Sequence, residues 1–447
     1  MMILAADVGT TSLKMAVYRA DGDVLTPAAS FSAEYAIRTY NDGLFSDIEP
    51  EKWEHALIAG CQEMQRWMPE VDVVALSGTT PGLTAMDKDG NALLPAILML
   101  DQRSHKQAQY IIDTVGMQDL LQTTGNMPVS GGCSLAGILW IRDSCPDIFR
   151  KTHVFGHSNT YIARWLTGAF AIDPSSASLS GLYNTVRNDM TWNESIAKTF
   201  GLSLSQLPEI LPSHESPGRV IRPLADQLGM SKEPPVVIGG NDAVLAAYSA
   251  GIQEPGQIMN VNGTCEITLV CLDRCLPSVK YNIRTHVVPG RWLTLYVMNA
   301  GGKALEWFRN VFCREMTSEQ FYNEWLPRTI DAWLDRPSGV GYVPYLMGSR
   351  YSLERLTGQL LGLTQETSRD EILAAMVRSL CEYQREHVTE VAGHVALREP
   401  IYVTGGAVNA ALLRAKKRWM RNCEYVYTEQ SSLKGAALLG KEHLERS

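Results

Sequence analysis

Two stretches of this 447-residue chain can be laid on one another without a gap, residues 4–16 on residues 258–270, with Gly9-Thr10 falling on Gly263-Thr264. Each begins with an apolar run, passes through a Gly-Thr turn and continues as an alternating strand. In the first copy Leu13, Met15 and Val17 alternate with Lys14, Ala16 and Tyr18. Each stretch therefore reads as a hairpin, and its repetition implies two similarly built halves with a boundary near residues 250–255. Other apolar runs end in polar or glycine-rich loops and are followed by amphipathic stretches. Examples are residues 71–76, 236–238 and 401–403. This alternation makes the fold class α/β, and the length exceeds what one ordinary core accommodates. Two domains are expected, 1–248 and 249–447.

The first hairpin tip concentrates groups that suit the phosphates of a nucleotide. Gly9 allows backbone amides to approach a ligand, Thr10, Thr11 and Ser12 add hydroxyls, and Asp7 at the strand end can hold a hydrated divalent cation. The same residues also make an ordinary polar hairpin tip. Three further loops stand at strand ends. Ser77-Gly78-Thr79-Thr80-Pro81-Gly82 is a polar loop where a wound α/β sheet binds ligands. Gly239-Gly240-Asn241-Asp242 leads into an alanine-rich helix, with Asp242 at its N-cap or first turn, where the helix dipole favours negative charge. Gly405-Gly406 opens a late helix and could bring backbone against a flat base. No Gly-x4-Gly-Lys-Ser/Thr loop, no Gly-x-Gly-x-x-Gly opening a helix, no His-Glu-x-x-His and no Gly-x-Ser-x-Gly occurs.

A net charge of −8 and a pI near 5.7 argue against nucleic acid or an anionic membrane surface as partner. No segment approaches the length of apolar chain that spans a bilayer, which points to a cytoplasmic protein. The nine cysteines are scattered. The close pair Cys271 and Cys275 lacks the further ligands of a zinc site, so reduced structural thiols are expected.

Read in order, the motifs resemble those of the FGGY carbohydrate kinases, ATP-dependent sugar kinases of the actin-like ATPase superfamily. They are Asp7-x-Gly9-Thr10-Thr11-Ser12-x-Lys14, Ser77-Gly78 with Asp87-x-x-Gly90, Asp101-x-Arg103, Leu139-Trp140 before Pro146, and Tyr161-x4-Leu166-Thr167-Gly168. There follow Gly240-x-Asp242, Gly263-Thr264, Pro344-Tyr345-Leu346-x-Gly348, Gly358-x-Leu360-x-Gly362-Leu363 and Gly405-Gly406. The likeness covers nearly the whole chain.

The resemblance implies two actin-like (ribonuclease H-like) domains, each a mixed β-sheet flanked by helices, with the active site in the cleft between them. It implies ATP and Mg2+ as cofactors and a small sugar as partner, and it leaves a homodimer open. Asp242 would be the general base that takes the proton of the attacking sugar hydroxyl. Asp7 would hold magnesium through water, with Thr10, Thr11, Ser12 and Lys14 along the β- and γ-phosphates. Gly263 and Thr264 would meet the phosphates from the second domain. Gly302 joins the nucleotide contacts, and Gly405, Gly406, Ala407 and Asn409 would lie under the adenosine. Thr79, Thr80, Asp101 and Arg103, with Asp242, are the candidate sugar contacts, although Asp101 and Arg103 also suit a salt bridge closing a strand end.

The chain departs from the family at Gly137 and Arg378, where lysine and an acidic residue are usual, and at Met99, where tryptophan is. Thr79-Thr80-Pro81-Gly82 replaces the Gln-Met-His-Gly of xylulose kinases and also lacks the arginine and glutamate of glycerol kinases. A ketose such as ribulose, a polyol or a sugar acid is therefore the expected substrate class. A nucleotide-dependent regulator or ATPase of actin-like fold is the alternative.

Overall fold

The strand Met2–Val8 is buried at every position and sits inside its sheet, as the apolar run Met2–Ala6 requires. In the computed structural model, which describes residues 1–354 and 356–447, it pairs antiparallel with Ser12–Asp21. That strand pairs in turn with Val24–Glu34. On its other side Met2–Val8 runs parallel to Val73–Gly78, which runs parallel to Pro235–Asn241, and the short strand Gly218–Arg219 closes that edge. Because the three central strands are parallel and in register at their ends, Val8 lies beside Gly78 and Gly78 beside Asn241. Their following loops therefore open at one edge of the sheet, the position where such sheets bind ligands.

Both faces of this sheet are covered. Leu4, Ala6 and Val8 join one core with Trp53, Leu57 and Cys61 of the helix Glu51–Glu63 and with Tyr161 and Ile162 of the helix Ser158–Thr167. The opposite face receives the helix Ser432–Arg446, where a Cβ on Gly440 would lie 3.1 Å from Ile3 Cγ2 and 3.3 Å from the Ala75 Cβ. A Cβ on Gly435 would meet the Leu245 carbonyl oxygen at 2.2 Å, so glycine there lets this helix pack directly on the helix Asp242–Ser249. A second sheet orders Arg38–Tyr40, Phe45–Ile48, Ala96–Leu98, Gly82–Met86 and Val154–Gly156.

The chain divides into two units, but not at a single cut. The first comprises Met1–Gly251, Arg274–Trp292 and Gln430–Ser447; the second comprises Ile252–Asp273 and Leu293–Glu429. The first crossing falls near residue 250, and the chain then returns to the first unit twice. One return is anchored by Asn126, whose side chain donates to the Ile283 carbonyl (2.9 Å) and accepts from the Ile283 amide (2.8 Å). The other is the helix Ser432–Arg446, whose buried Ala436, Ala437 and Leu439 need the cover of the first sheet.

The second unit repeats the layout of the first. Ile258–Asn262 pairs antiparallel with Glu266–Leu272 and parallel with Ile401–Thr404, which is parallel to Tyr425–Tyr427. Trp292–Met298 lies beyond Glu266–Leu272. The helix Arg369–Ala392, capped by Ser368, packs its buried side on this sheet through Gln384, which accepts from Thr268 Oγ1 at 2.7 Å. Each unit is thus a mixed sheet with helices. Among the described residues no helix is long and apolar enough to cross a membrane, and all nine cysteines are free thiols.

Candidate active site

The parallel edge of the first unit gathers Asp7, Thr10, Thr79, Thr80 and Asp242. Asp7 stands opposite Lys14 across the hairpin and opposite Ser77 across the parallel pair. One carboxylate oxygen accepts from Ser77 Oγ (2.6 Å) and the other from Ser432 Oγ (2.8 Å). Each oxygen keeps lone-pair capacity for ordered water. Among the described residues no group of three or more His, Cys, Asp or Glu could ligate a metal directly. This donor set suits a cation that stays hydrated, which is the habit of Mg2+.

At the hairpin tip the Gly9 amide donates to the Ser12 carbonyl (3.0 Å), and a Cβ on Gly9 would strike that oxygen at 2.8 Å. Thr10 Oγ1 lies 3.1 Å from Thr79 Oγ1, which ties the tip to the loop after Val73–Gly78. Thr11 and Lys14 are exposed, and Ser12 is half-buried. Thr79 and Thr80 are buried, with the Thr79 carbonyl accepting from Ser158 Oγ at 3.2 Å.

Asp242 is the first residue of its helix, and it is not the cap. Asn241 caps, its side-chain oxygen accepting from the Val244 amide (3.3 Å). Both protein hydrogen bonds to Asp242 fall on Oδ1, from the Ala243 amide (2.7 Å) and Asn241 Nδ2 (2.9 Å), and among the described residues none falls on Oδ2. A carboxylate oxygen released from capping is what a general base requires. Asp242 keeps partial solvent access, yet the dense protein around it raises its pKa to about 6. Burial is the main cause and the nearby Asp7 carboxylate adds to it; the Ala243 amide, the Arg284 charge and the Asn241 side chain oppose it.

Its backbone is aimed by a bulge. Register slips between Val237 and Gly240, and Gly239 has φ +66°, where a Cβ would collide with the Leu76 carbonyl at 1.6 Å. Asn159 Nδ2 supports the bulge by donating to the Ile238 and Gly240 carbonyls (3.4 and 3.3 Å).

Asp101 and Arg103 lie near the Thr79 loop, since Gly82 pairs with Leu98, but they are engaged with protein. Asp101 Oδ2 accepts from the Ser46 amide (2.6 Å) and Arg103 Nε (2.8 Å), and Oδ1 accepts from the Arg103 amide (2.8 Å). Arg103 also donates to Asp47 Oδ2 (2.8 Å) and lies 4.4 Å from the Phe45 ring centroid and 5.0 Å from that of Trp140. Burial raises the Asp101 pKa despite those donors. Burial works against Asp47 too, but hydrogen bonds from Arg103, Tyr40 and Arg38 hold it below its ordinary value.

In the second unit Gly263, Gly302 and Ala407 line one small cavity of about 30 Å³ together with Glu266, Gly301 and Lys416. The Gly302 amide donates to the Gly263 carbonyl (2.9 Å), the Gly301 amide to the Thr264 carbonyl (3.0 Å) and the Ala407 amide to the Asn262 carbonyl (3.1 Å). Gly405 has φ +102°, and a Cβ there would meet the Asn262 carbonyl at 2.2 Å, whereas a Cβ on Gly406 would meet nothing within 4 Å. Asn409 caps the helix Ala410–Trp419 by accepting from the Leu412 amide at 2.9 Å. Lys416 and Glu266 form a buried ion pair beneath the Gly-Thr turn.

Sequence reasoning missed Ser432, Ser175 and Arg284. Ser432 reaches Asp7 from more than 400 residues away, and no local pattern could indicate it. Ser175 Oγ accepts from the Asn241 amide (2.9 Å).

Two family models match the chain: the FGGY family of carbohydrate kinases, N-terminal domain, over residues 2–249, and the C-terminal domain of the same family over residues 258–440. The chain is 25% identical over 446 residues to a xylulose kinase of Staphylococcus xylosus, covering 98% of this chain and 90% of the relative. It is 26% identical over 454 residues to a gluconokinase of Bacillus subtilis, covering 98% and 86%. The crystal structure of a xylulose kinase from Rhodospirillum rubrum superposes with a TM-score of 0.89 over 99% of this chain and 89% of that one; at 21% identity it speaks for the fold alone. With both of the family's domain models matched in order along nearly its whole length, the chain belongs to the FGGY family of carbohydrate kinases, enzymes that phosphorylate sugars with ATP.

Proposed function

We propose that this kinase transfers the γ-phosphoryl group of ATP to one hydroxyl of a ketose, a polyol or a sugar acid, acting in the cytoplasm, with Asp242 as general base. The observation that carries this reading is the carboxylate of Asp242, held by two donors on Oδ1 while Oδ2 has no protein partner among the described residues. Thr79 and Thr80 meet the acceptor. Asp101 and Arg103, spent on each other and on Asp47, hold the neighbouring wall and so take part in acceptor binding from behind.

Thr10, Thr11, Ser12 and Lys14 take the terminal phosphates in the first unit. Gly263, Thr264 and Gly302 take phosphates, and Gly405, Gly406, Ala407 and Asn409 take the nucleoside, in the second. Asp7 holds hydrated Mg2+, which when bound supplies charge neutralisation on the phosphates. Phosphoryl transfer of this kind depends on position and charge more than on covalent help, and a helix N-terminus that favours an ionised Asp242 suits it.

The relatives named xylulose kinase and gluconokinase favour five- and six-carbon open chains over larger acceptors. The test is a coupled ADP-release assay over pentuloses, hexuloses, polyols and aldonates, repeated with Asp242→Asn. Turnover of at least one acceptor is expected. The variant should lose about 10²- to 10⁴-fold in kcat with little change in ATP affinity. Near-normal turnover by the variant rejects Asp242 as base.

A further inference from the structure

Arg284 belongs by sequence to the stretch matched by the C-terminal domain model, yet it lies in the first unit. Its strand, Asn282–Thr285, is fastened there on both sides of it. Asn126 exchanges two hydrogen bonds with Ile283, and the Thr285 amide donates to Ser178 Oγ at 3.0 Å. Trp292 Nε1 closes the segment by donating to the Thr185 carbonyl at 2.8 Å. So fastened, Arg284 is buried, with 2% of its surface exposed. Its guanidinium donates through one terminal nitrogen to the Thr80 carbonyl and through the other to the Ser175 carbonyl, each at 3.3 Å.

These two carbonyls belong to different arms of the candidate site. Thr80 lies in the loop assigned to the acceptor. Ser175 is a node: its hydroxyl donates to Asp173 Oδ1, its Oγ accepts the Asn241 amide, and its carbonyl accepts from Arg284. Asn241 in turn caps the helix and donates to Asp242 Oδ1. A continuous set of hydrogen bonds therefore runs from the Thr80 loop through Arg284 and Ser175 to the base. The planar guanidinium, with donors at fixed angles, sets the separation of two carbonyls in a way that a single ammonium cannot.

We infer that Arg284 is a positioning residue for the phosphoryl-accepting site, fixing the acceptor loop at Thr80 relative to the turn that presents Asp242. It acts through Thr80 and Ser175 and touches no reacting atom in this role. Its charge also counts against the rise of the Asp242 pKa, and it adds to the burial that mainly holds His157 neutral, with a pKa pushed down to about 3. The inference rests on Asp242 and Thr80 being base and acceptor loop, and one of its tests is independent of that assignment.

That test is hydrogen exchange on the full chain. Arg284→Met should quicken exchange at least threefold in peptides covering 79–83 and 239–244, while peptides from 258–272 and 401–412 stay unchanged. Unchanged exchange at 79–83 and 239–244 overturns the linkage whatever the substrate. The second test is kinetic and uses whichever of xylulose, gluconate and glycerol the unmodified protein turns over fastest. Arg284→Met should raise the acceptor KM tenfold or more and lower kcat, with the ATP KM within twofold. Arg284→Lys, which keeps the charge but not the fork, should restore only part of the acceptor KM. Quickened exchange with unaltered kinetics sinks the positioning role, and an equal loss of ATP and acceptor binding would mean general damage and also sinks it. If Arg284→Met does not fold, Arg284→Lys carries both readouts, and its matching the unmodified protein in exchange and in acceptor KM is then the overturning result. Turnover of none of the three acceptors counts against the acceptor assignment and leaves the exchange test to decide the linkage.

Discussion

Asp242 carries a charge that its surroundings resist. The role of base proposed for it needs the unprotonated form, so kcat/KM for the acceptor should fall as pH drops through about 6, by one decade per pH unit. A pH profile that stays flat down to pH 4.5 would contradict this. The same shift bears on stability. In the unfolded chain the carboxyl titrates near its ordinary 3.8, whereas the folded protein holds the proton up to about 6. Folding is therefore favoured in acid, and that advantage is lost as pH rises from 3.8 through 6. Asp242→Asn, which cannot ionise, should raise the melting temperature of the ligand-free protein at pH 7.5 by an amount worth about 1–2 kcal/mol after solvent screening. The gain should vanish near pH 4. Melting curves at the two pH values decide it. The sequence pointed to Asp242 because Gly-Gly-Asn-Asp between a strand and an alanine-rich helix is legible locally. That Asn241 would do the capping and leave Asp242 Oδ2 unspent depends on rotamers that no residue pattern encodes.

At the scale of the element, the strand-turn-strand of residues 4–16 and its copy were readable because period-two alternation and a Gly-Thr turn are local signals. The two glycines after Ile401–Thr404 looked alike in sequence, and the structure separates them. Gly405 needs a positive φ and touches the Asn262 carbonyl, while Gly406 faces open space. Gly405→Ala should therefore cost about 2–4 kcal/mol of stability. Gly406→Val should leave the melting temperature nearly unchanged and weaken ATP binding at least tenfold. Calorimetry showing normal ATP affinity in Gly406→Val would remove that turn from the nucleotide site. The Asp101-x-Arg103 motif teaches the converse. Its spacing was visible, but whether the pair faces a ligand or a wall depended on Ser46, Asp47, Phe45 and Trp140, which come from elsewhere in the chain.

For the whole molecule, the two halves were legible in the repeat, and the returns of Arg274–Trp292 and Gln430–Ser447 were not. An amphipathic pattern says that a helix buries one side and does not say against what. A chain ending at Glu429 should consequently lose more than its last helix. The first sheet would be stripped on one face, and Asp7 would lose its Ser432 partner, a deficit on the order of 5 kcal/mol or more. Calorimetry should find the second unit still unfolding cooperatively and the first unit's transition missing; two intact transitions would refute the argument. The threading also has a bearing on biosynthesis. The second unit is complete in sequence at Glu429, whereas the first still lacks its helix Ser432–Arg446 when residue 429 is joined. Meanwhile the face around Ile3 and Ala75 waits uncovered. At roughly 5–20 residues per second, the interval between residue 241 and residue 446 lasts on the order of ten to forty seconds. During that time a nascent chain exposes an apolar sheet face that only its own last helix can cover, and the tempo of translation becomes a determinant of yield.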